Sequence, residues 1–174
     1  MKALEQSLRK DLQALVKDLK KSRQRLVLAE SCTGGLLASF LSEIPGVSDW
    51  FCGSQVVYRD ESKASWLRVK RSTLKKHTAV SRETAREMCE GILMATPEAQ
   101  VGAAITGYLG PKGKNVGQVF IGVMVRGDDE PTIQEVSLLP GVTHRSLAGN
   151  TQLRLKRRIM SARLLIFLVR TLLK

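Results

Sequence analysis

Four apolar residues, Leu26-Val27-Leu28-Ala29, run directly into Glu30-Ser31-Cys32-Thr33-Gly34-Gly35, and a second apolar stretch, Leu36–Ile44, follows at once. The first run is too short for a helix and reads as a buried strand, whereas the second reads as a helix closed by Pro45-Gly46. A strand that feeds a glycine-bearing turn and then a helix is the building unit of α/β folds, and it confines the chain to that class. The same alternation recurs elsewhere. Residues 2–21 place Leu4, Leu8, Leu12, Leu15, Val16 and Leu19 at helical spacing. Phe51–Tyr58 is rich in strand formers, and a short helix is expected over Asp60–Leu67.

Ser81 suits the N-cap of a further helix with Glu83 in its first turn. Within that helix Ala85, Met88, Cys89, Ile92 and Leu93 make one apolar stripe, which assigns Cys89 to the core. Val101–Ile105, Gly117–Val125 and Thr132–Leu138 read as strands, the last two joined by the turn-forming Gly127–Pro131. A helix over Gln152–Leu173 closes the pattern. No repeat or linker divides it, so residues 1–174 read as one layered α/β domain.

A chain of 174 residues, 43% hydrophobic and 25% charged, buries a core without staples and is not wholly disordered. No apolar stretch reaches the ~18 residues of a membrane span. The N-terminus alternates charge with leucine and lacks the core of a secretory leader. Three cysteines, Cys32, Cys52 and Cys89, show no C-x-x-C spacing and suit a reducing compartment, so a cytoplasmic location is expected. Net charge is +12, unevenly spread. Residues 1–28 carry eight basic and three acidic side chains, and residues 136–174 carry eight basic and no acidic ones, leaving the body near neutral. Such ends suit nucleic acid or another acidic partner, or simply solvated helix faces. Phe167 is the single aromatic residue in them, which is poor in the stacking groups of single-strand binders.

Two strand-to-loop junctions have the form of ligand sites, since α/β folds bind at the carboxyl ends of strands. The first is Glu30–Gly35, where glycines beside Ser31 and Thr33 let backbone amides approach an anion at a helix N-terminus. The same spacing serves an ordinary capped turn, and Ala29 stands where a nucleophile elbow needs glycine. The second is Thr106–Asn115, whose glycines and lysines fit a phosphate or a solvated turn but not a Walker loop. His77 and His144 have no metal-ligand spacing, so neither metal nor cofactor is expected. A lysine with a lowered pKa can stand in for histidine as the base. Tyr58 and Lys63, at a strand end and one turn into the next helix, can face one pocket; taken singly they read as a core tyrosine and a surface lysine.

Taken together, the motifs resemble one family. Ala29-Glu30-Ser31-Cys32-Thr33-Gly34-Gly35-Leu36, Pro45-Gly46-Val47-Ser48 through Phe51-Cys52-Gly53, Tyr58 with Lys63, Ala79-Val80-Ser81, and Thr106-Gly107…Gly110-Pro111…Val116-Gly117-Gln118-Val119 follow each other as in the CinA C-terminal domain family of nicotinamide-nucleotide amidases. The resemblance implies an α/β/α sandwich, frequently self-associated, that hydrolyses nicotinamide mononucleotide to nicotinic acid mononucleotide and ammonia. It implies Ser31, Tyr58 and Lys63 as the catalytic group. It implies substrate contacts at Cys32, Thr33, Gly34, Gly35, Thr106, Gly107 and Gly110. The phosphate of such a substrate needs cations or backbone donors, and Lys112, Lys114 and Arg145 are the candidates, each of which also reads as ordinary surface charge.

The chain departs from the family pattern at four places. Tyr108-Leu109 replace Ile-Ala, the insert after Pro111 is shortened, Ser54 stands where glycine is common, and the Gly-Asp-Arg before the last helix is unmatched, with Arg145 and Arg154 as substitutes. The alternative expectation is therefore a re-specialised or inactive paralogue that uses its basic ends on nucleic acid or another acidic partner.

Overall fold

The computed structural model describes residues 1–111, 115–139 and 146–173. Five strands form one sheet in the order β2-β1-β3-β4-β5. They are β1 (Leu26–Glu30), β2 (Phe51–Val56), β3 (Val101–Gly107), β4 (Gln118–Val125) and β5 (Thr132–Ser137). The first three are parallel, and β4 and β5 join antiparallel. The central strands β1 and β3 are buried almost throughout, as their unbroken apolar runs require of parallel strands covered on both faces. The edge strands β2 and β5 are partly exposed.

Side chains of β1 alternate between two cores. Leu26 and Leu28 face α1 (Lys2–Ser22), α2 (Leu36–Ser42) and α6 (Leu147–Leu172). Val27 and Ala29 face α3 (Asp60–Leu67) and α5 (Arg82–Ala95). The result is the expected α/β/α sandwich. In α1 the leucines at 8, 12, 15 and 19 are all buried. Asp11 pairs with Arg163 and Asp18 with Arg170, the same seven-residue step on each helix, so α1 and α6 run parallel side by side.

Helix α3 sits close against α5 because residue 91 is glycine; a Cβ there would lie 2.0 Å from the Leu67 carbonyl oxygen. This contact seats the segment that carries Lys63.

Several boundaries differ from those read in the sequence. Helix α2 stops at Ser42 and a single 3-10 turn, Val47–Asp49, follows; Ile44 precedes Pro45, where helical backbone is disfavoured. Strand β2 ends at Val56, before Tyr58, while β3 runs on to Gly107. Helix α4 (Arg71–His77) was not legible, because Arg71-Ser72-Thr73-Leu74-Lys75-Lys76-His77 has no apolar stripe. His77 closes this helix. Helix α6 begins at Leu147, five residues before the expected start, with Ser146 accepting a capping hydrogen bond from the Gly149 amide. Lys112, Lys114, His144 and Arg145 lie outside the described residues.

Candidate active site

The alternation of β1 decides what its last two residues do. Glu30 continues the Leu26–Leu28 side and is fully buried beneath α2. Its carboxylate accepts the Leu37 and Ala38 amides at 3.1 and 3.0 Å and the Ser54 hydroxyl at 3.1 Å. The Leu37 and Ala38 amides in the first turn of α2 are thus taken by an internal carboxylate, which leaves the amides of the preceding turn as the ones that could meet a ligand. Ser54, which departs from the family pattern, is a third donor to Glu30. Hydrogen bonds to a charged group stabilise by ~1.5–3 kcal/mol. Glu30→Gln keeps the shape but loses the charge and presents donors to donors, so urea unfolding should register a loss of about 2 kcal/mol or more.

Ser31 takes the other side. Its amide donates to Ile105 O at 3.0 Å, tying it to β3, and its side chain is 7% exposed. A tight turn follows, closed by Gly34 N–H to Ser31 O at 3.1 Å, with Gly34 and Gly35 at φ +57° and +85°. Glycine is needed there because a Cβ is strained in the left-handed region. The Leu36 amide donates to Thr33 O. The amides of Cys32, Thr33 and Gly35 have no acceptor among the described residues.

Lys63 and Tyr58 exchange the places that their residue types suggest. Lys63 is 1% exposed and Tyr58 is 56% exposed. The chain leaves β2, Arg59 and Ser62 form a reciprocal cap, and α3 begins. The Lys63 stem folds back so that Nζ donates to Val57 O at 2.8 Å and Tyr58 O at 3.4 Å. Burial lowers the Lys63 pKa below its ordinary value, while Asp60 and Cys32 pull the other way. Cys32 is buried, and this burial pushes its thiol up to about 12. It is a thiol at neutral pH and a poor nucleophile.

Ser31, Cys32, Tyr58 and Lys63 line one cleft of about 220 Å³, together with Ala79, Val80 and the strip from Thr106 to Gly110. No hydrogen bond links Ser31 Oγ to Lys63 Nζ or Tyr58 OH. Larger depressions lie beside Trp66, along α1, α6 and β5, and between the ends of α1 and α6, but none of these holds Ser31 or Lys63.

Of the residues expected at the substrate, Cys32, Thr106, Gly107 and Gly110 reach the cleft. Thr106 Oγ1 donates to Ala79 O at 2.7 Å and fastens the floor of the cleft. Thr33, Gly34 and Gly35 do not line it; the Thr33 side chain is wholly buried. Lys112 and Arg145 fall outside the described residues. Tyr108 and Leu109, noticed as bulkier than the family pattern, do line it. Among the described residues its one arginine is Arg154, whose guanidinium donates to Gly110 O and, at 2.7 Å, to Tyr58 OH.

Helix α6 also changes the meaning of the basic C-terminus. Arg157 is 1% exposed and donates to Leu109 O, Leu138 O and Leu139 O. Arg158 donates to Thr33 O and Gly34 O. Arg154 (already a candidate substitute for the family's arginine), Arg157 and Arg158 of the basic C-terminus all turn onto the loops around the cleft. They sit at i, i+3 and i+4, so one helix face carries all three.

The profile of the CinA C-terminal domain matches residues 9–147. This chain belongs to the CinA C-terminal domain family. It is 46% identical over 113 residues to a CinA-like protein of Thermotoga neapolitana and 46% identical over 109 residues to one of Desulforapulum autotrophicum. These alignments span 63% and 60% of this chain but 28% and 26% of those proteins, so the chain matches about a quarter of each relative's length.

The fold agrees with solved CinA-superfamily structures. The competence damage-inducible protein A of Klebsiella pneumoniae superposes with a TM-score of 0.83 at 25% identity, covering 95% of this chain and 96% of that one. The competence/damage inducible protein CihA of Agrobacterium tumefaciens gives 0.76 at 30% identity, covering 93% and 95%. No helix among the described residues is long and apolar enough to cross a membrane. None of their His, Cys, Asp and Glu side chains form a cluster of three or more suited to a metal ion.

Proposed function

We propose that this CinA C-terminal domain is a serine amidohydrolase that converts nicotinamide mononucleotide to nicotinic acid mononucleotide and ammonia. The observation that carries the reading is the buried Lys63, which makes no ion pair among the described residues and lines one cleft with Ser31. A buried lysine held by carbonyls rather than ion-paired to a carboxylate loses its proton more easily and can then take one. Ser31 Oγ attacks the carboxamide carbon as its proton passes to Lys63, directly or through Tyr58 OH. The tetrahedral oxyanion is held by free amides of the turn, of which Cys32 N–H, next to the nucleophile, is the first candidate. Collapse breaks the C–N bond, and the proton returns to the departing nitrogen as ammonia. Water then attacks the acyl-enzyme, giving the carboxylate and regenerating Ser31.

Arg154 is the described cation best placed for the nucleotide phosphate, since it already lines the cleft. The test is ammonia release from nicotinamide mononucleotide and from nicotinamide riboside, which lacks the phosphate. The wild type should prefer the mononucleotide, and Arg154→Ala should raise its KM about tenfold or more while altering KM for the riboside little, given the ~1.5–3 kcal/mol of a charge-assisted hydrogen bond. No ammonia from either substrate would refute the amidase reading. Equal KM changes would move the phosphate away from Arg154.

A further inference from the structure

The geometry points to Arg158 as the positioning residue that holds the Ser31–Gly35 turn in its working shape. The turn has little stiffness of its own, because Gly34 and Gly35 occupy the left-handed region where glycine rotates freely. Its start is fixed to β3 by the Ser31 amide. Its far side is held by the Leu36 amide on Thr33 O and, as its one side-chain fastening among the described residues, by Arg158, whose Nε donates to Thr33 O and whose Nη2 donates to Gly34 O at 3.3 Å. Among the described residues no other side chain hydrogen-bonds to the backbone of residues 31–35.

The Thr33–Gly34 peptide is gripped at both ends. Its N–H closes the turn on Ser31 O while its C=O faces the guanidinium, and a planar trans amide held at both ends cannot rotate. The planar fork of arginine suits two successive carbonyls, and the positive charge strengthens both bonds. Cys32 and Thr33 are the two central residues of that turn, so the direction of their free amides follows from the clamp. Donors fixed in advance are the ones that stabilise a developing oxyanion.

The kinetic consequence rests on the serine-amidase reading, but the mechanical consequence does not. Hydrogen exchange read by mass spectrometry on the full chain should therefore accompany the ammonia assay. In Arg158→Ala the peptide spanning residues 31–36 should exchange at least about tenfold faster while residues 101–107 of β3 stay as in the wild type. Its kcat should fall about tenfold to a hundredfold with KM within about threefold, the scale of a misplaced reacting group. Arg163→Ala, on the same helix but paired with Asp11, should change neither readout. Arg158→Lys keeps the cation without the fork and should show smaller shifts of both kinds, which serves if the alanine variant does not fold.

Unchanged exchange at residues 31–36 overturns the clamp whether or not any pyridine nucleotide is hydrolysed. A uniform rise that includes β3 overturns it as well. Wild-type kcat in Arg158→Ala, with active wild type, removes its positioning role. Faster exchange confined to the turn in a chain with no amidase activity would sustain the clamp and refute the amidase.

Discussion

Ser31→Ala should lower kcat for ammonia release from nicotinamide mononucleotide by about a thousandfold or more, the scale on which loss of a covalent nucleophile is felt. The neighbouring substitution Cys32→Ala should stay within about tenfold of the wild type. The two residues are adjacent and both line the cleft, and the thiol is intrinsically the better nucleophile. Burial decides between them, because a thiol pushed up to about 12 is almost never a thiolate at neutral pH. Ser31 needs no ionised ground state when a base stands ready to take its proton. Mass spectrometry of enzyme quenched during turnover should find the acyl group on the peptide containing both residues, and Ser31→Ala should abolish it while Cys32→Ala retains it. Full activity in Ser31→Ala would end the assignment.

Lys63→Arg should reduce kcat about a hundredfold or more, since arginine keeps the charge but does not deprotonate in the working range. The pH profile should carry the same signature. Wild-type kcat/KM should rise with pH through the pKa of Lys63, which burial places below the ordinary lysine value, because the neutral amine is the active form. The residual activity of Lys63→Arg should lack that rise. Stability moves in the same sense. The unfolded chain holds the Lys63 proton up to about pH 10.4, whereas the folded chain releases it sooner. Between those two values the unfolded state binds more protons, so folding stability gains as pH rises. Comparison with Lys63→Met by thermal unfolding isolates the effect: the wild type should gain on the methionine variant as pH rises towards about 10.4 and lose ground below. A pH-independent difference would mean that the folded and unfolded chains hold the Lys63 proton alike, as an ammonium that reaches solvent does.

The sequence by itself determined the class of fold, the layer of most elements and the first member of the site. The strand-to-turn junction at Leu26–Gly35, the leucine ladder of α1 and the stripe of α5 are local periodicities, and burying each stripe leaves one solution, a sheet between helices. The choice of Ser31 within the Glu30–Gly35 junction came from the family resemblance, whereas the junction itself was legible as a candidate site because glycines beside hydroxyls at a strand end are a local pattern. Two readings went the other way for the same reason. Lys63 and Tyr58 were placed by residue type, which favours an exposed lysine and a buried tyrosine, yet the fold reverses them. The reversal depends on carbonyls at the strand–helix junction and on the close approach of α3 to Gly91, neither of which a residue type records.

Glu30 reads in the sequence as the first residue of the turn, whereas it ends β1; its buried role is not legible locally because the donors to its carboxylate lie on α2 and β2. Of the arginines of α6, Arg154 was legible as a substitute for the family's arginine, whereas the contacts of Arg157 and Arg158 were not. Their carbonyl partners stand far away along the chain, Thr33 being 125 residues from Arg158 and Tyr58 being 96 from Arg154. A run of basic residues specifies charge, but whether that charge meets solvent or the backbone of a distant loop is decided only when α6 docks beside α1 on one face of the sheet. Tertiary structure alone supplied that answer, because a guanidinium's surroundings depend on packing between segments that no sequence window joins.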